Sequence, residues 1–378
     1  LVHRASLIQP DSEDWKRWSS YHPMVPKILS SRRFRKAIGH NPSGRLKAIY
    51  SKYEDPIFRT IMEGTLSAFK RPLKKFVTSV FNTRVIPNVV IGSLPDASYN
   101  AAAFRVPGQR KYVIIFNWGL FNVLTRVSKI LVRIQAHFPL SIKIDLSESS
   151  WADKYEQAVM RVMDAAEGVI LAKAFAATFL DYHHIPHELD YDVNSINNDL
   201  TSTLNGVYAV GAERFVLAHE IAHVMCGHLD TPESTTAHAL PDGNRVEICR
   251  PSHKDEILAD LLGDSLASMA ALHGLLDERR KIISHELLNH RLVGSYFFFI
   301  CAEMIEYTFT MFNLASKISD THPPLAQRIE LVMAQARSRK HPNFEIMVEM
   351  LKIKLEKLLI KSIPYWEEVA EKRLGSSL

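Results

Sequence analysis

The chain has 378 residues, 47% of them hydrophobic and 23% charged, with 15 Gly and 18 Pro. That composition belongs to a globular protein with a sizeable core, and it excludes wholesale disorder, collagen-like repeats and fibrous coiled coils. The net charge of +5 is unevenly spread: residues 1–85 carry 17 Lys and Arg against 6 Asp and Glu, an excess of +11 that leaves −6 for the remainder.

In chain order, residues 1–85 read as a basic, helical N-terminal region broken by Pro23, Pro26, Pro42, Pro56 and Pro72. Two clusters, Arg32, Arg33, Arg35 and Lys36, then Lys70, Arg71, Lys74 and Lys75, point to an acidic partner or an anionic surface, or else to a plain solvated face. No nucleic-acid motif accompanies the charge, so nucleic acid is not an expected partner. Residues 86–126 change character. RVIPNVVIG and KYVIIFN are β-branched and aromatic runs between turn-rich segments and predict two strands, with SYNAAAFRVPGQR offering a third strand and a turn.

From there helical spacing dominates. Residues 127–211 form a helical insertion, a candidate lid, and residues 212–340 hold AERFVLAHEIAHVMCGH and KDEILADLLGDSLASMAAL, two strong helices. The stretch between them, TPESTTAHALPDGNRVEICRPS, reads as a polar connection. Residues 341–378 predict a C-terminal amphipathic helix. The expected class is α+β, predominantly helical, with one small sheet.

Cys226, Cys249 and Cys301 are too few and too scattered for a disulfide framework, which predicts reduced thiols and a cytoplasmic setting. The opening LVHRASLIQP has no secretory apolar core and no initiator Met. SYFFFICAEMIEYTFTMF is interrupted by Glu303 and Glu306, so it predicts a buried helix and no transmembrane segment is expected.

The chemistry is concentrated in His219-Glu220-Ile221-Ala222-His223. Positions i and i+4 lie one turn apart on one helical face, so both imidazoles can reach a single Zn²⁺ while Glu220 stands beside it as a base. A catalytic zinc needs a third protein ligand and an open position. Glu256 and Asp260 are again i and i+4, and the economical reading makes Glu256 the third ligand and Asp260 the acceptor that fixes a ligand histidine's tautomer. An acidic first turn favoured by the helix dipole is the plainer reading of that pair. His228 and His253 are rival ligands, although His228 falls half a turn off the ligand face unless the helix ends at Gly227. His187-Glu188 and His285-Glu286 begin similarly but lack the closing histidine.

HEIAHVMCGH followed by EILAD, and then by Thr321-His322-Pro323-Pro324-Leu325-Ala326-Gln327-Arg328-Ile329, resembles the gluzincin metallopeptidases of peptidase family M forty-eight. That family includes the heat-shock protease HtpX, the CAAX prenyl proteases and the OMA-type proteases. Asn100-Ala101, upstream of the helix, is similar to the pair this family carries on a substrate edge strand. The resemblance implies a zincin-like domain with one zinc per chain at His219, His223 and Glu256, and Glu220 as general base. It also implies that His322 stabilises the oxyanion and that Asn100 and Ala101 hold the substrate backbone.

The expectation is a soluble zinc-dependent metalloendopeptidase acting on protein or peptide. Its rivals are a dedicated processing or binding protein for one partner, and a zinc hydrolase of a non-peptide amide. Glu220 argues against a pure binder, because binding requires no such carboxylate.

Overall fold

A computed structural model describes residues 46–48, 88–94, 99–105, 111–138, 144–183, 185, 187–189, 207–230, 235–239, 245–249, 252–277, 293–314, 322–338 and 344–375. The described part is α+β and mostly helical. Both basic N-terminal clusters, Cys249's side chain, Thr321 and His285 lie outside the residues or side chains described.

The strands are β1 (Leu46–Ala48), β2 (Asn88–Leu94), β3 (Ala101–Arg105), β4 (Lys111–Asn117), β5 (Thr235–Ala239) and β6 (Arg245–Cys249). The helices are α1 (Trp118–Ala136), α2 (Trp151–Asp164), α3 (Ala166–Tyr182), α4 (Val207–Met225), α5 (His253–Asp277), α6 (Gly294–Met311), α7 (Leu325–Ser338) and α8 (Phe344–Gly375). The chain divides into two compact units, one of residues 1–120, 213–281 and 319–331, the other of residues 121–212, 282–318 and 332–378.

The first unit holds one six-stranded mixed sheet in the order β1-β2-β4-β3-β6-β5. β2 runs parallel to β1 and β4, and β3 runs antiparallel to β4 with Ala101 opposite Phe116 and Ala103 opposite Ile114. The predicted strands form because β-branched and aromatic side chains fill a pleated buried surface: Val89, Ile91, Val113, Ile114 and Phe116 are all buried.

Two expectations change. The polar connection is a hairpin, β5 against β6 with Thr235 opposite Cys249 and Ala239 opposite Arg245. TTAHA and RVEIC flank a Pro-Asp-Gly-Asn segment, and Asp-Gly between strands of period two favours a hairpin that outweighs the segment's polarity. Residues 1–85, expected to be helical, contain the strand β1.

The second unit is helical. Segments expected as a lid (127–211) and as a separate C-terminal helix (341–378) both contribute to it. α8 is fastened to α3 by Ser362 Oγ donating to the Ala172 carbonyl at 3.1 Å and by Trp366 Nε1 donating to Ala176 at 3.0 Å. Trp366 also packs among Phe175, Phe179 and Tyr307. Lys354, fully buried, donates to Gln135 Oε1 at 2.9 Å and lies over the rings of Tyr155 and Tyr208. Among the described residues no helix is long and apolar enough to cross a membrane.

Candidate metal centre

α4 forms because residues 207–225 combine good helix formers with apolar side chains on nearly every face, and Phe215, Leu217, Ala218, Ile221, Ala222 and Val224 are buried. The helix ends at Met225. Gly227 follows at φ 74°, where its N–H donates to the Val224 carbonyl at 3.3 Å and the His228 N–H donates to the His223 carbonyl at 3.1 Å. This crossed pair of bonds is a Schellman cap, which requires the left-handed conformation that glycine adopts without strain.

α5 starts with its own cap. Ser252 and Asp255 bond reciprocally, with Ser252 N donating to Asp255 Oδ2 at 2.9 Å and Asp255 N donating to Ser252 Oγ at 3.2 Å. One face of α5 presents Glu256, Asp260 and Gly263. A Cβ at Gly263 would lie 2.8 Å from both Cα and N of His219, so the missing side chain lets the two helices meet backbone to backbone.

The structure brings together His219, His223 and Glu256, all buried, with ligand atoms within 4.8 Å of one another. His219 Nε2 and His223 Nε2 are 3.1 Å apart, and they lie 3.5 and 3.4 Å from the Glu256 carboxylate oxygens. Ligand bonds of ~2.0–2.2 Å at tetrahedral angles give edges of about 3.3 Å, so the two imidazole nitrogens are spaced for two corners of a zinc tetrahedron, with Glu256 Oε2 facing His219 and Oε1 facing His223 as the third donor group. Among the described residues no other His, Cys, Asp and Glu cluster has this geometry.

Each imidazole is backed on its far side. His219 Nδ1 lies 2.9 Å from Asp260 Oδ1, and Asp260 receives a two-pronged bond from Arg328, Nε to Oδ2 at 2.7 Å and Nη2 to Oδ1 at 2.8 Å. His223 Nδ1 lies 2.9 Å from His228 Nδ1, whose Nε2 lies 3.3 Å from Asp255 Oδ1. His228 therefore does not join the three facing donors. His253 is exposed at the first position of α5. His187 bonds Asp181 at 3.1 Å in the helical unit.

The electrostatics suit a cation. Burial works against the Glu256 carboxylate, yet the neighbouring histidines hold it well below the ordinary carboxylate range. Asp260, likewise buried, is held low by Arg328 and His219. Burial alone would lower His219, but hydrogen bonds to Asp260 and Glu256 outweigh it and carry its pKa up to about 10. His223 is pushed well down, by burial first and by His219 second. Two ionised carboxylates thus hold one imidazolium proton, the proton that a divalent cation would displace.

Glu220, 7% exposed, is raised to about 7 by burial, against the pull of His219 and of a backbone hydrogen bond from Ala103. His322 presents Nε2 3.4 Å from Glu256 Oε2 with its side chain half open to solvent, and burial lowers its pKa.

β3 stands beside Glu220. Asn117 N donates to the Asn100 carbonyl at 3.0 Å, so Asn100, and by alternation Ala102 and Phe104, turn their main chain toward β4. Ala101, Ala103 and Arg105 turn theirs outward. The recorded pairing with β6 is the single pair Arg105 and Glu247, and among the described residues no strand pairs with Ala101 or Ala103 on that side. The two residues named from sequence therefore differ: Ala101 offers main-chain groups, whereas Asn100 offers only its exposed side chain.

Sequence reasoning missed His228 as the partner of His223, Asp255 as the partner of His228, and Arg328 as the partner of Asp260. For Arg328 the signal was present inside the Thr321–Ile329 motif, as its one Lys or Arg.

Residues 176–347 match the family described as Peptidase U49. No curated protein and no solved structure matches the chain. The matched stretch carries α4, α5, His322 and Arg328, and its description differs from the gluzincin family that the motifs resemble. Over these residues, a little under half of its length, the chain is similar to a peptidase family.

Proposed function

We propose that the chain is a zinc-dependent metalloendopeptidase whose zincin-like first unit holds zinc at His219, His223 and Glu256. The observation that carries this reading is the convergence of those three donors beside a buried carboxylate and an open strand edge. A zinc ion bound there supplies Lewis acidity toward the scissile carbonyl and lowers the pKa of water at the site.

The remaining chemistry belongs to the chain's own groups. Glu220 accepts the proton of the attacking water on its carboxylate and returns it to the leaving nitrogen; a base titrating near 7 suits both transfers at neutral pH. His322 Nε2, at the solvent-facing side of Glu256, donates to the carbonyl oxygen as charge develops on it. The substrate lies extended along β3, exchanging main-chain hydrogen bonds with Ala101 and Ala103, and the Asn100 side chain steadies it.

Metal analysis and hydrolysis of an unfolded protein such as casein test this reading. The purified chain is expected to hold about one zinc per molecule, and a chelator should abolish cleavage that added zinc restores. Glu220→Gln keeps the side chain's shape without its basicity, so zinc should stay while turnover falls at least ~10²-fold. Zinc-free protein that cleaves casein, or undiminished turnover in the Gln variant, would overturn the proposal. Cleavage of one partner but not casein would mark a dedicated processor.

A further inference from the structure

The Schellman cap that ends α4 is unusual in what it brings together. In such a cap the residue after the glycine folds back over the residue three positions before the helix cap, and the two side chains commonly make an apolar contact. Here those two residues are His228 and His223. Their rings meet edge to face at 5.0 Å between centroids, and their Nδ1 atoms are 2.9 Å apart. His228 is buried, and its other nitrogen lies 3.3 Å from Asp255, a residue the Ser252 cap fixes at the start of α5.

With His228 neutral, the hydrogen-bond directions allow one consistent arrangement. A nitrogen facing a carboxylate carries a proton, so His228 Nε2–H donates to Asp255 Oδ1. His228 Nδ1 is then a lone pair, and it accepts from His223 Nδ1–H. His223 Nε2 is thereby left as the lone pair that faces His219 and Glu256. The arrangement does for His223 what Asp260 and Arg328 do for His219, with a neutral ring between the ligand and the carboxylate.

We propose that His228 is a positioning residue: seated by the Gly227 cap, it fixes the tautomer and ring orientation of His223 and so sets the affinity of the site for zinc. This rests on the zinc reading above and adds a residue to it. Two ligand histidines on one helix are then oriented by two independent devices, one anchored on α7 through Arg328 and one on the turn that ends α4.

The experiment compares zinc affinity, by competition with a chromophoric chelator, in the full-length protein and in His228→Leu, His228→Asn and Asp255→Asn. Leu supplies the apolar contact usual in this cap but accepts no hydrogen bond, so helicity of the metal-free protein should hold while zinc binds about 10–100-fold more weakly. Asn places an acceptor near the Nδ1 position and should recover most of that loss. Asp255→Asn, at a half-exposed position, should weaken zinc about threefold and carries the test if the Leu variant does not fold. The visible spectrum of the cobalt-substituted protein should shift in the Leu variant and return toward wild type in the Asn variant. Wild-type affinity in both the Leu and Asp255→Asn variants overturns the inference and leaves the zinc reading standing. A wild-type protein that binds no zinc overturns both.

Discussion

Around the three converging donors the side chains differ in how much their positions reveal about their roles. His322 is the instructive one, since its ring is half in solvent, contacts Glu256 at 3.4 Å and belongs to no apolar stripe. If it donates to an oxygen that is charged only near the transition state, His322→Ala should lower kcat and kcat/KM by similar factors of ~10²–10³. Zinc content and thermal stability should stay near wild type. Steady-state kinetics with metal analysis on this variant decide the point: an unchanged kcat makes it a surface residue, and lost zinc makes it a ligand. His219, His223, Glu256 and Asp260 were legible from sequence because helical spacing alone assigns each pair a common face. His228 was weighed only as a rival ligand, which the structure leaves outside the three donors, and its place against His223 could not be read from spacing. Rotation per residue carries it half a turn off the ligand face only if the helix continues, and Gly227 at φ 74° reverses the chain instead. Arg328 reaches Asp260 across 68 positions of sequence, and no local periodicity encodes a bond of that span.

At the scale of elements, the decisive contact is the crossing of α4 and α5 at Gly263. It lies seven residues beyond Glu256 and three beyond Asp260, so close approach there lets both carboxylates reach the histidine face. A methyl group at Gly263 meets His219 backbone rather than a flexible side chain, and one helix must move. Gly263→Ala should cost ~1–3 kcal/mol of stability and weaken zinc at least tenfold, measured by urea unfolding and chelator competition. Unchanged values for both would remove the crossing from the description of the site. The strands β2 and β4 could be read in advance from their β-branched and aromatic runs, and β3 as a candidate strand between them. The β5–β6 hairpin escaped because its polar side chains concealed a clear period of two, and its place beside β3 depends on a single register pair, Arg105 with Glu247.

For the molecule as a whole, the most consequential charge is one the catalytic reading does not use. Glu213 on α4 is 1% exposed, and among the described residues neither carboxylate oxygen has a hydrogen-bond partner. Burial raises its pKa from 4.5 to about 8, with Arg214 pulling the other way. The folded protein therefore keeps a proton that the unfolded chain releases, and the associated stability is complete below pH 4.5 and is lost as pH rises toward 8. Glu213→Gln, which carries no ionisable proton, should remove that slope. Unfolding free energies of the two proteins from urea titrations should agree near pH 4.5 and separate by several kcal/mol above pH 8, with the Gln variant more stable. Parallel pH profiles would show that the Glu213 carboxyl is satisfied and ionised after all.

The open stretch of β3 also sets a limit on grip. Only Ala101 and Ala103 face outward without a strand partner among the described residues, and the Ala103 N–H already serves Glu220. An added strand thus gains about three main-chain hydrogen bonds, worth roughly 0.5–1.5 kcal/mol each. That total corresponds at best to a dissociation constant near millimolar. A substrate held by that contact alone would be oriented through its backbone, released quickly and scarcely selected by its side chains. Any tight or selective capture of a protein target must therefore be earned on surfaces away from this edge.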